Sequence, residues 1–117
     1  MKFKLPANLS NLLVIEHTKA DGGAAHITLR GKLMLGSDSE QLDDLVARLL
    51  SEGVSDFVFD LAGLTHIDST GIGRFISAFN KIMLVDGGRM RMAGAQGTVR
   101  SAFRVTKLDT IFEFVDG

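Results

Sequence analysis

Two side-chain hydroxyls stand together at Ser69 and Thr70, with a carboxylate before them at Asp68 and glycines after them at Gly71 and Gly73. An apolar stripe of helical period starts directly downstream: Ile72, Phe75, Ile76, Phe79, Ile82 and Met83 recur at offsets of three and four, with Arg74, Ser77, Asn80 and Lys81 between them. Asp68 is therefore placed to cap the helix, accepting first-turn amide hydrogens at the positive end of the helix dipole. Ser69, Thr70 and Gly71 form the first turn. Hydroxyls beside unpaired amides, with little side-chain bulk around them, can take a phosphoryl group, cradle an anion or meet a partner. An ordinary capped helix start accounts for the four residues alone equally well.

Other chemistries find less support. Gly71-Ile72-Gly73 lacks the Lys-Ser/Thr of a Walker loop, and the third glycine and downstream acid of a dinucleotide fingerprint are missing. His17, His26 and His66 have no metal-ligand spacing and read as surface or capping residues. Ser69, a histidine and Asp60 do not make a hydrolase triad, because no nucleophile elbow is present. No cofactor is called for.

The elements that must position this turn follow from patterning. A short arm, residues 1–8, is expected to be loose. Leu12 to Ile15 reads as a strand ended by Glu16-His17-Thr18-Lys19, and Asp21-Gly22-Gly23 is tight-turn chemistry. Ala25, Ile27 and Leu29 alternate with His26, Thr28 and Arg30, which makes an antiparallel hairpin. Gly31 to Gly36 reads as a loop carrying Leu33, Met34 and Leu35. If exposed, these three would join the hydroxyl turn in an apolar partner surface; if buried, they close the end of the sheet.

Ser37 and Glu40 have capping-box spacing, ahead of a helix on Leu42, Leu45, Val46, Leu49 and Leu50 that stops at Gly53. Phe57-Val58-Phe59 is a buried strand that ends at Asp60. The organising helix should end near Val85 to Gly88. Arg89 to Ala93 alternates as a strand, Gly94 bends the chain, and a helix from Gly97 buries Val99, Ala102, Phe103 and Val105. Leu108, Ile111, Phe112 and Phe114 suggest a last strand or closing segment. Strands alternating with helices after a hairpin imply an α/β fold with right-handed crossovers and a small mixed sheet.

With 117 residues and 45% hydrophobic content the chain is expected to form one domain, 1–117, with an adequate core. A net charge of −1 from 13 basic and 14 acidic residues leaves no footprint for nucleic acid. The chain has no cysteine, so disulfides, thiolate metal sites and a cysteine nucleophile drop out. No apolar run approaches the roughly 20 residues of a membrane span. A soluble, cytoplasmic protein without membrane insertion is expected.

Asp60, followed by Leu64-Thr65-His66-Ile67-Asp68-Ser69-Thr70-Gly71-Ile72-Gly73, resembles the signature of the STAS domain, and in particular of bacterial anti-sigma factor antagonists. The resemblance extends to the element order over nearly the whole chain. Thr70 stands where serine is more usual, and His66 where an aromatic residue is common. The resemblance implies that Thr70, the second hydroxyl of the pair, is phosphorylated by an anti-sigma serine/threonine kinase, with Ser69 as the alternative site. It further implies that Asp60, Asp68, Ser69, Gly71 and Gly73 shape the site, while Leu33, Met34, Leu35, Ile72 and Arg74 are candidates for partner contact. The unphosphorylated form would bind the kinase and free a sigma factor, and a phosphatase would reverse the modification. The chain would be ligand and substrate, not an enzyme. The alternatives are a constitutive STAS adaptor in a transport or signalling assembly and, further off, a small nucleotide-binding protein.

Overall fold

The computed structural model describes residues 12–19 and 23–115. The expected arm over residues 1–8 and the Asp21-Gly22 part of the hairpin turn lie outside the described residues. Five strands and three helices follow in the order β1 (Leu13–Lys19), β2 (Ala24–Leu33), α1 (Glu40–Ser51), β3 (Asp56–Ile67), α2 (Ser69–Ile82), β4 (Arg89–Ala93), α3 (Gly97–Val105) and β5 (Glu113–Val115). A 3-10 turn, Leu108–Thr110, links α3 to β5. The sheet order is β1-β2-β3-β4-β5, with β1 antiparallel to β2 and every later pairing parallel. The mixed α/β sheet inferred from patterning is the observed one.

Alternation decides which face is core. Ile27, Leu29, Phe57, Phe59, Met90 and Met92 point to one side and are almost wholly buried. Leu42, Val46 and Leu49 of α1, Phe75 and Ile82 of α2, and Val99 and Phe103 of α3 join them in one cluster, so all three helices cover the same face. The opposite face is polar: Arg91 bonds both carboxylate oxygens of Asp56 at 2.9 and 3.0 Å, Arg30 pairs with Glu16, and His26 lies 3.9 Å from Asp60. Rings tie the layers together. Phe75 packs at 5.6 Å on both Phe59 and Phe103, and Phe103 at 5.3 Å on Phe114, each pair worth about 0.5–1.5 kcal/mol beyond area burial.

Several boundaries differ from expectation, each for a tertiary reason. Glu16 to Lys19 continue β1 because they pair with Ala25 to Thr28. Gly31 to Leu33 belong to β2, and Leu33 is fully buried; only Leu35 of the expected apolar loop is strongly exposed, with Met34 between the two. Ser37 does not cap α1. Its hydroxyl donates to the Met34 carbonyl at 2.6 Å and accepts from the Met34 amide at 2.9 Å, while the helix starts after Ser39.

β3 runs past Asp60 to Ile67, because its second half pairs with Arg30 to Leu33 after two register shifts, each setting two β3 residues against one of β2. Helix α2 ends at Ile82, sooner than expected, and Ile76 and Met83 of its stripe are 40% and 45% exposed while Ala78 is buried. Val105, expected inside, is 78% exposed.

Candidate functional site

The site is built where β2 and β3 end and α2 begins. Asp68 is extended (φ −120°, ψ −170°), which ends the strand and turns its side chain back over the first helical turn. One carboxylate oxygen accepts the Gly71 amide at 3.0 Å, the other the Leu35 amide at 3.0 Å. A single carboxylate thus caps α2 and fastens the loop after β2 beside it. Burial pushes the Asp68 carboxyl up, but the amides of Leu35, Gly71 and Thr70 and its own amide outweigh that and hold it below the ordinary carboxylate range. Asp68 is ionised at neutral pH.

Gly71 is fixed by contact. A Cβ there would collide with the Leu33 carbonyl oxygen and lie 2.7 Å from Ile67 Cγ1, so only glycine lets α2 start against the ends of β2 and β3. Gly73 differs. Apart from its chain neighbours and its own helix backbone, no described residue comes within 4 Å of a Cβ placed on it, and it is exposed.

Ser69 is exposed and Thr70 partly buried, both at the helix tip beside the anchored loop. Ser69, Thr70, Asp68 and Gly71 sit together at the start of α2, and the Asp68–Leu35 hydrogen bond brings the loop of Met34 and Leu35 beside them. Three candidates do not converge. Asp60 sits within β3, accepts the Ala62 amide at 3.0 Å and faces His26, and the rest of the strand, roughly 20–26 Å, separates it from Asp68. Arg74 turns toward α1, donating to Asp43 Oδ2 at 2.8 Å and to Ser39 Oγ at 3.0 Å. Leu33 lies beneath the surface.

On the opposite flank of α2 a groove of about 470 Å³ opens toward α3. Ile72, Gly73 and Ile76 form one wall, Ala102 and Val105 the other, and Asp68 and Ser69 one end. The sequence reading missed Ile76, Ala102 and Val105 because helical periodicity marks a face as apolar without saying whether anything in the chain covers it. The usable signal was Gly73, a glycine inside a helix with no turn to make. Among the described residues, no group of three or more His, Cys, Asp or Glu could hold a metal ion, and no helix is long and apolar enough to cross a membrane.

A family profile, the STAS domain, matches residues 17–116. Comparison with curated protein sequences finds no match. Among solved structures the chain is similar to an anti-sigma factor antagonist from Mycobacterium paratuberculosis, at 17% identity, 89% and 86% coverage of the two chains and a TM-score of 0.74. It is also similar to the anti-sigma factor antagonist SpoIIAA in its unphosphorylated form, at 19% identity, 89% coverage of each chain and a TM-score of 0.70. The phosphorylated form of SpoIIAA, described as a Bacillus cell fate determinant, gives 19% identity, 89% and 91% coverage and a TM-score of 0.71. At these identities the likeness is one of fold.

Proposed function

The chain belongs to the STAS domain family, and on that footing we propose that it is an anti-sigma factor antagonist switched by phosphorylation at Thr70, with Ser69 the alternative acceptor. The observation that carries the reading is the capped turn itself. Asp68 organises a helix tip that carries the exposed Ser69 and the partly buried Thr70, next to exposed Leu35. The two solved forms of SpoIIAA, a relative in fold, are an unphosphorylated and a phosphorylated one, which lends support.

In this reading the unmodified chain binds an anti-sigma serine/threonine kinase, and the sigma factor held by that kinase is released. Phosphorylation adds roughly −1.5 to −2 charges and three acceptor oxygens. The domain tolerates them, because the group stands at the positive end of the helix dipole, although Asp68 already takes the Gly71 amide there. A docked partner does not: it must bury the charge or withdraw, and about 4 kcal/mol of penalty weakens binding roughly a thousandfold. A phosphatase restores the first state. ATP and magnesium belong to the kinase, and the chain acts as ligand and substrate in the cytoplasm.

The test is mass spectrometry of the protein after incubation with ATP and an anti-sigma kinase from the same genome. One phosphate, absent from Thr70→Ala, is the expected result. A phosphate that survives in Thr70→Ala but not in Ser69→Ala moves the acceptor to Ser69, and no phosphate at all removes the switch.

A further inference from the structure

The loop after β2 is held to the tip of α2 by very little. Leu35 is 78% exposed, so packing does not fix it, and its amide makes one hydrogen bond among the described residues, to Asp68 Oδ2 at 3.0 Å. Gly36 after it takes a left-handed φ of 88° and makes none. Met34 and Ser37 close the loop on itself. The Ser37 amide and hydroxyl donate to the Met34 carbonyl at 3.1 and 2.6 Å, and Ser37 Oγ accepts the Met34 amide at 2.9 Å.

On either side of this stretch the ties to α2 resume. The Leu33 carbonyl accepts the Asp68 amide at 3.4 Å, and Ser39 Oγ accepts Arg74 Nε at 3.0 Å. Between them, one oxygen of the Asp68 carboxylate supplies the only hydrogen bond from loop to helix tip among the described residues.

The other oxygen is committed to the Gly71 amide at 3.0 Å. The two partners of the carboxylate differ in freedom. Gly71 lies against the Leu33 carbonyl with no room for a Cβ and cannot move without shifting the strand ends, whereas Leu35 is free to swing outward. A phosphoryl group on Ser69 or Thr70 would stand one or two residues along the chain from this carboxylate. It brings roughly −1.5 to −2 charges, which disfavour an ionised neighbour, and three oxygens that compete for first-turn amides.

We propose that Asp68 is a latch between modification and surface shape: a phosphoryl group at Ser69 or Thr70 drives its carboxylate off the Leu35 amide, and the loop, held by nothing else, lets Leu35 go. The inference rests on the phosphorylation reading above and deepens it. Modification then acts on a partner twice, by setting charge in its path and by withdrawing an apolar side chain that Asp68 had positioned.

The test is amide hydrogen exchange, residue by residue, in the isotope-labelled full chain at one pH, with the sheet amides of Ile27, Phe57 and Met90 as the control for an intact fold. Three proteins are compared: the unmodified chain, the chain with phosphothreonine at position 70 or phosphoserine at 69 installed during translation, and Asp68→Asn. Asparagine keeps one acceptor oxygen, enough to cap Gly71, and sets an N–H donor where the Leu35 amide needs an acceptor. In the phosphorylated chain and in Asp68→Asn alike, the Leu35 amide is expected to exchange at least about tenfold faster, the size of one charge-assisted hydrogen bond, with Gly71 and the sheet unchanged.

A Leu35 amide that keeps its unmodified rate in the phosphorylated chain overturns the proposal, as does a faster Gly71 amide with Leu35 unmoved, or an Asp68→Asn protein whose Leu35 is as protected as before. If Asp68→Asn loses the sheet protection, the phosphorylated chain decides alone. No kinase enters these measurements. Release of Leu35 in a chain that no kinase modifies would sink the switch and leave the latch standing, while kinase-driven loss of partner binding with Leu35 still protected would do the reverse.

Discussion

The two flanks of α2 are finished differently. Toward α1 the helix is closed by polar bonds: Arg74 reaches Asp43 and Ser39, and both side chains of the ion pair are mostly buried. Toward α3 it is left open, with Ile76 and Val105 exposed across a groove and nothing over Gly73. Gly71 and Gly73 repeat the contrast two residues apart, one required by the carbonyl it lies against, the other by nothing in the described chain. The closed flank serves the fold, and the open flank is free to serve a partner.

The comparison breaks most visibly at Gly71. Gly71→Ala forces a methyl group into the Leu33 carbonyl and is expected to cost about 3 kcal/mol, read as a lower urea midpoint at unchanged slope. A neutral Gly71→Ala would mean that the helix start can shift away from the strand ends. Next comes Arg74→Ala, which leaves the Asp43 carboxylate mostly buried and without its cation; about 2 kcal/mol should be lost by the same measurement.

Asp68→Ala removes the cap and the Leu35 anchor together, for about 1.5 kcal/mol. Since the folded carboxyl titrates below its ordinary value, Asp68 adds stability above pH about 4 and loses it as the pH falls through the lowered folded value. The stability difference between wild type and Asp68→Asn, which keeps capping ability without the charge, should therefore shrink on acidification; a difference that is flat between neutral pH and pH about 3 contradicts the assigned hydrogen bonds. The smallest effect has the opposite sign. Gly73→Ala should stabilise the domain by about 0.8 kcal/mol through helix propensity alone, and a loss of stability there would erase the distinction between the two flanks.

Much of this was legible in the sequence, and the rest was hidden for identifiable reasons. The capped start of α2, the hairpin and the alternation of strands with helices are local patterns, and the structure has them. The continuation of β3 past Asp60 was not legible, because Ala62-Gly63 looks like a break until the register shifts against β2 are known. That misreading placed Asp60 at a strand end, whereas it lies inside β3. Ser37 has the spacing of a cap, but Met34, three residues before it, takes both of its hydrogen bonds. Ile76, Met83 and Val105 carry an apolar signal that cannot distinguish a core from a surface awaiting cover.

The most direct measurement is the affinity of an anti-sigma kinase from the same genome for the unmodified protein and for the protein phosphorylated to completion, by calorimetry in the same buffer. A roughly thousandfold loss on phosphorylation, with the folded domain unchanged in its melting behaviour, is the predicted result. Equal affinity of the two forms would contradict the account, because the charge at the tip of α2 would then lie outside the surface the partner covers.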